Sequence, residues 1–254
     1  MAFAQLRIFS EALRRATTVN VVIPQRSTSG EIGTENKTEK GKYRCLYLLH
    51  GLSDDESIWM RRTSIERYAT KYGIAVVMPN GDRSFYTDMK YGYNYYTYVA
   101  KELPRIITDL FPISDKREDN VIGGLSMGGY GALKVALRNP ERYSAVIGLS
   151  SVADIRTLYD RFDVTLNYVF GDKNGVTDED DLFSLAEKCT KNETRPRVYM
   201  AVGLSDFMYN ENIKLRDHIA SLGYDLTYRE GPGVHGWDFW DEYIQYALEW
   251  AFEK

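Results

Sequence analysis

An α/β fold, one mostly parallel sheet with helices on both faces, is predicted for this 254-residue chain by three observations. Segments of strand character alternate with segments of helical spacing along most of the chain. Several of the strand segments are apolar throughout rather than at every second residue, the pattern of strands covered on both faces. The length is what one domain of this kind commonly fills, and it suffices to bury a large core.

Taken in order, strand character falls on Thr18–Ile23, Tyr43–Leu49, Ile74–Met78, Asn120–Gly124, Ala145–Leu149, Arg197–Val202 and Tyr224–Arg229. These are short runs rich in Val, Ile and Tyr, which suit a pleated, packed surface. Helical spacing falls on Ser57–Tyr72, Tyr95–Leu110, Met127–Arg138, Asn210–Leu222 and Asp238–Phe252. Asn139-Pro140 stops one helix, and Gly223 ends another because glycine takes the left-handed conformation without cost. Two stretches interrupt the alternation. Residues 25–42 are polar and predict a surface loop between two early strands. Residues 151–194 replace one βα unit with a longer, mixed stretch, predicting an insertion near the catalytic edge of the sheet within a single domain spanning 1–254. Its acidic run Asp178-Glu-Asp-Asp181 reads as a solvated helix start, where carboxylates favour the helix dipole.

Hydrophobic residues make up 44% and charged residues 27%, and no apolar run approaches a membrane span, so a soluble protein with no membrane partner is expected. A net charge of −4 with both signs interspersed gives no basis for nucleic-acid binding. A small, weakly charged partner fits better. Arg7 interrupts the stretch where a signal peptide would be unbroken, so the cytoplasm is the expected compartment. Cys45 and Cys189 have no pairing pattern and read as reduced thiols there. A homo-oligomer leaves no mark in the sequence and stays open.

The chemistry centres on Gly124-Leu-Ser-Met-Gly128. As a bare G-x-S-x-G pattern this is common, but here it follows a predicted strand and opens a predicted helix, the context of a nucleophile elbow. So tight a turn needs residues almost without side chains two positions either side of Ser126, and Gly124 and Gly128 meet that need. A serine hydroxyl is a weak nucleophile at neutral pH and needs a base. The chain has three histidines. His218 lies inside a helical segment beside Lys214 and Asp217 and reads as solvated, and His50 reads as support for the Gly51 turn. His235 remains, in Gly231-Pro-Gly-Val-His-Gly236, a loop after the last predicted strand.

The histidine needs a carboxylate to fix its tautomer. Asp206 follows the strand Arg197–Val202, and Asp154, also shortly after a strand, is its rival. With Asp206 the chain order is Ser, Asp, His, the order of the α/β-hydrolase fold. An oxyanion requires donors already in place. The backbone N–H of Met127, at a helix N-terminus, is one, and that of Leu52, beyond the His50-Gly51 turn, is the other.

Together with Tyr47-Leu-Leu-His-Gly51, Val77-Met-Pro-Asn80, Tyr86-Thr-Asp88, the extended Gly124-Leu-Ser-Met-Gly-Gly-Tyr-Gly131 and His235-Gly-Trp237, the sequence resembles the esterase D type α/β-hydrolases over nearly its whole length. That group includes bacterial tributyrin and acetyl esterases and feruloyl esterases of carbohydrate esterase family 1. The resemblance implies an α/β-hydrolase fold and hydrolysis of short acyl esters, often acetyl or hydroxycinnamoyl groups on sugars, with neither cofactor nor metal; the want of a long apolar segment that could form a lid predicts a preference for acetyl to butyryl. It places the triad on Ser126, Asp206 and His235 and the oxyanion donors on Leu52 and Met127.

Trp59 and Trp237, each close in sequence to a catalytic element, are expected to line the substrate pocket. The run Tyr91-Gly-Tyr-Asn-Tyr-Tyr-Thr-Tyr98 either packs the helix that starts there or offers a platform for rings. Related sequences leave two other activities open, thioester hydrolysis of the S-formylglutathione type and acyl transfer; a binding protein that kept the fold without catalysis is a reading of a different class, and the complete Ser, His and Asp set argues against it.

Overall fold

The computed structural model describes residues 1–25 and 41–253. The loop predicted at 25–42 falls almost wholly outside the described residues. Eight strands form one sheet: β1 (Ala2–Ser10), β2 (Arg15–Ile23), β3 (Cys45–Leu49), β4 (Ala75–Pro79), β5 (Asn120–Leu125), β6 (Ala145–Leu149), β7 (Arg197–Gly203) and β8 (Leu226–Gly231). Their order is β1-β2-β4-β3-β5-β6-β7-β8. The β1–β2 and β2–β4 pairs are antiparallel, and every pair from β4–β3 to β7–β8 is parallel.

The helices are α1 (Ile58–Arg62), α2 (Ile65–Tyr72), α3 (Tyr95–Thr97), α4 (Leu103–Leu110), α5 (Met127–Arg138), α6 (Tyr159–Phe170), α7 (Leu182–Cys189), α8 (Tyr209–Ser221) and α9 (Trp237–Phe252). The central strands are buried on both faces, and alternate residues feed two separate cores. Cys45, Tyr47 and Leu49 face the core that includes residues of α4, α5, α7 and α8. Leu46 and Leu48 face the one built with α1, α2 and α9. This is the two-sided burial that apolar, non-alternating strands require.

Chain direction reverses its spread across the sheet at β3, which has β4 on one side and β5 on the other. In open α/β sheets such a switch leaves a crevice at the carboxyl ends of the strands. The loops after β3, β5, β6, β7 and β8 therefore share one edge.

Four sequence expectations need correction. Strand β1 lies outside the expected strands, because it is not an apolar run. Its burial alternates residue by residue, with Phe3, Gln5, Arg7 and Phe9 outward, the period-two pattern of an edge strand. The helix expected over Ser57–Tyr72 is broken at Thr63, whose backbone is extended and whose Oγ1 accepts from Ile65 N–H at 3.1 Å. The helix expected over Tyr95–Leu110 contains a π turn at Tyr98–Glu102 directly before Pro104. That proline has no N–H for the Ala100 carbonyl, and its ring crowds the same carbonyl.

The acidic run does start a helix, with Asp178 and Glu179 exposed, but Asp180 and Asp181 are half-buried rather than solvated. Asp181 does cap α7, accepting from Phe183 and Ser184 N–H, but it also takes Arg156 Nη1 at 2.7 Å. Glu179 pairs with Lys188 at 2.8 Å and with Arg138 of α5 at 3.3 Å. Asp180 lies 3.4 Å from Nζ of Lys134, a lysine of α5 with no exposed surface. Glu179 and Asp180 thus clasp the segment leading into α7 onto α5.

Candidate active site

The turn from β5 into α5 holds Ser126 at φ 54°, ψ −119°. A non-glycine residue rarely takes this region, and it persists only where the surroundings enforce it. The enforcement is visible. Ser126 N–H donates to the Leu149 carbonyl at 2.9 Å, and its own carbonyl accepts from Tyr130 and Val152 N–H. A Cβ on Gly128 would collide with the carbonyl oxygens of Leu49 and His50, so α5 can start this close to β3 only with glycine there. The serine side chain is lifted clear of the backbone into a cavity of about 320 Å³.

Loops after β7 and β8 meet the serine from the other side. Gly203 has no room for a Cβ against the Gly233 carbonyl, and Ser205 N–H donates to that carbonyl at 2.9 Å. This close approach brings the Asp206 loop against the His235 loop. His235 Nδ1 lies 3.0 Å from Asp206 Oδ2, and its Nε2 lies 3.0 Å from Ser126 Oγ. With Nδ1–H donating to the carboxylate, Nε2 is left free to accept the serine proton, the tautomer the network requires.

Asp206 has no exposed side-chain surface. Burial pushes its carboxyl up, but His235, the Met208 N–H at 2.8 Å and the Ser150 hydroxyl together hold it below the usual carboxylate range. The rival Asp154 is occupied elsewhere: it accepts from Arg156 N–H at 2.9 Å and caps the short turn at Ile155–Leu158.

The backbone N–H groups of Leu52 and Met127 face no backbone acceptor among the described residues, and both residues line the cavity with Ser126. His50 is buried behind them. Its Nδ1–H donates to the Gly51 carbonyl at 2.8 Å and its Nε2 accepts from Gly81 N–H at 2.8 Å, so it braces two loops. Burial lowers its pKa and keeps it neutral. His218 is half-buried rather than solvated, 3.2 Å from the Phe183 carbonyl between α7 and α8.

Trp237 lines the cavity as expected of it, but Trp59 does not. The Trp59 side chain is 1% exposed, donates to the Leu49 carbonyl at 3.1 Å, and meets Trp237 edge-on at 5.2 Å. It is a prop for the wall. Of the tyrosine run, Tyr95, Tyr96 and Tyr98 are core residues and Tyr91 and Tyr93 are exposed. None of them lines the cavity.

Sequence reasoning missed five residues around the site. Ser150, immediately after β6, is buried at φ 46° and accepts from Trp240 Nε1 at 3.1 Å. Trp240 sits edge-on to the His235 ring at 4.9 Å. Phe207 covers the same ring at 4.6 Å on a tilted face. Arg83 and Arg161 also line the cavity. The available signals were slight: a serine at a strand end, a tryptophan three positions after Trp237, and an aromatic next to Asp206. Among the described residues no cluster of three or more His, Cys, Asp or Glu could hold a metal, and no helix is long and apolar enough to cross a membrane.

A serine touching an imidazole that is itself fixed by a buried carboxylate, beside two N–H groups without a backbone acceptor, can form and hydrolyse a covalent acyl intermediate. Comparison with known proteins agrees with that chemistry. The esterase family model, described as "Putative esterase", matches residues 10–250. An acetyl esterase of Caldicellulosiruptor saccharolyticus is 35% identical over 262 residues, covering 98% of each chain. FphF, a fluorophosphonate-binding serine hydrolase of Staphylococcus aureus, superposes with a TM-score of 0.90 at 33% identity, covering 100% of this chain and 99% of that one. The S-formylglutathione hydrolase FrmB of the same organism gives 0.88 at 33%, covering 99% of each.

Proposed function

Since the chain belongs to the esterase family, we propose that it hydrolyses short-chain acyl esters, acetyl to butyryl, through an acyl-enzyme on Ser126. It is a serine carboxylic ester hydrolase of the α/β-hydrolase fold, and the contact from Asp206 through His235 to Ser126 is the observation that carries the mechanism. His235 Nε2 takes the Ser126 proton as Oγ attacks the ester carbonyl. Asp206 holds the tautomer and stabilises the imidazolium. The oxyanion is received by the N–H groups of Met127 and Leu52, preorganised donors of the kind that contribute most to such reactions. His235 then gives its proton to the departing alcohol, and the same ring activates the water that releases the acid.

The short-acyl preference is supported by the size and walls of the cavity. At about 320 Å³ it is small. Leu158, Phe162, Phe207, Trp237 and Trp240 border it. The buried, unpaired Cys45 and Cys189 fit a reducing compartment, and the cytoplasm is the proposed location.

A second reading is thioester hydrolysis, supported by the likeness to FrmB over nearly the whole chain. The elbow and base would serve a thiol leaving group equally. Comparing kcat/KM for S-formylglutathione with that for an acetyl ester separates the two. The ester reading expects the acetyl ester to be the better substrate, and a large excess for S-formylglutathione would replace it.

A further inference from the structure

We propose that the leaving group this site is built to accept carries a carboxylate, bound by Arg83 and Arg161. The proposal rests on the serine esterase reading above and adds a subsite to it.

The side of the site on which a leaving group departs follows from the chemistry. The departing oxygen must receive its proton from His235 Nε2, so the leaving group lies against the histidine. Phe207 meets the His235 ring at 4.6 Å, and the Arg161 guanidinium lies over the Phe207 ring at 4.3 Å from its centre. One aromatic ring thus touches both the base and a cation. Arg161 is the last residue before Phe162, whose φ −135°, ψ 33° breaks α6, and both line the cavity. Arg83 arrives from the loop after β4, and its Nη2 donates to Thr165 Oγ1 of α6 at 2.9 Å. That bond draws the second guanidinium to the same helix.

Neither guanidinium has a carboxylate within 4.0 Å among the described residues, whereas Arg138 and Arg156 of the same chain do. The chain as a whole is acidic, at −4, so the two cations do not reflect a general excess of positive charge. Among the residues lining the cavity the one carboxylate outside the triad is Asp54, which sits beside Gly51 on the oxyanion side and whose carboxyl burial pushes up. A planar carboxylate matches the guanidinium fork in a way that a neutral hydroxyl does not.

The test uses the intact enzyme and two acetate esters of one shape, meta-acetoxybenzoate and its neutral counterpart, meta-acetoxybenzamide. Both form the same acetyl-enzyme, so kcat/KM compares their binding and acylation alone. The expected result is a preference for the carboxylate of about tenfold, carried in KM, that shrinks as salt rises. Arg83→Gln/Arg161→Gln should collapse the ratio toward one, and Arg83→Lys/Arg161→Lys should restore part of it. Equal kcat/KM for the two esters in the native protein would overturn the subsite, as would a preference that survives in the double Gln variant. Loss of the esterase reading itself shows differently, as hydrolysis of the neutral ester that persists in Ser126→Ala.

Discussion

Trp240 Nε1 donates to Ser150 Oγ at 3.1 Å, a buried bond behind the cavity wall that Trp240 helps to form. That bond occupies an acceptor position on the hydroxyl and leaves its proton for the Asp206 carboxylate, which Ser150 helps to hold in the ionised form. Ser150 is therefore a positioning residue. Ser150→Ala should lower kcat about tenfold with little change in KM, in line with about 1–3 kcal/mol for a lost bond to a buried charged group. The sign on pH follows. Asp206 is depressed in the folded protein, so activity depending on its charge is lost as pH falls through that value. Removing one donor raises the value, so the loss of activity that belongs to the carboxylate, at pH values near the usual carboxylate range, should begin at higher pH. An unchanged onset would reduce Ser150 to a packing role.

Asp206→Asn should lower kcat by up to about 10⁴, the loss seen in a serine protease when an amide replaces the triad carboxylate and leaves the wrong histidine tautomer. Asp154→Asn should cost far less, because its partners are Arg156 N–H and the turn at Ile155–Leu158. Steady-state rates of the two variants on one acetyl ester decide between them, and the reverse ranking would move the carboxylate role to Asp154.

Lys134 makes a prediction about stability rather than rate. Burial pushes its ammonium down to about 8, against the pull of Asp180. An unfolded lysine protonates near ~10.4, so between about 8 and that value the unfolded chain holds more protons and this group makes stability rise with pH. Lys134→Met removes the contribution. Urea unfolding of both proteins at about pH 7.5 and about pH 10 should show the difference growing in favour of the native chain, by up to about 3 kcal/mol. A constant difference would contradict the buried, shifted lysine.

The walls of the cavity set acyl length. Each buried methylene contributes about 0.8 kcal/mol, but a closed wall turns that gain into overpacking. With Trp237 and Trp240 braced edge-on at 5.2 Å and Trp59 behind, the wall has little room to yield. Across p-nitrophenyl esters, kcat/KM should peak between acetyl and butyryl and fall steeply by octanoyl. A rise continuing to octanoyl would indicate an open, lipase-like groove.

Much of this was legible in the sequence because it is local. Strand, Gly124, Ser126, Gly128 and helix are consecutive, and apolar runs mark buried parallel strands without reference to anything distant. The loops bearing Asp206 and His235 could be assigned to the same sheet edge from strand order alone. What escaped depends on contacts between distant segments. Trp59 lies beside the Gly51 turn in sequence, yet its indole is drawn under Trp237 by a bond to Leu49. Lys134 looks like a surface residue of α5 until Asp180 is clasped over it. The π turn at Tyr98–Glu102 and the break at Thr63 are local events, but helical periodicity continues through both and conceals them.

The central claim is that Ser126 is the nucleophile, and covalent capture tests it most directly. A fluorophosphonate should modify the native protein once, with the adduct on the peptide carrying Ser126, and His235→Ala should slow labelling sharply because the serine loses its base. Ser126→Ala, folded as judged by an unchanged unfolding transition, should take up no label and hydrolyse no acetyl ester. Labelling at a different serine in the native chain, or undiminished labelling of Ser126→Ala, would contradict the account.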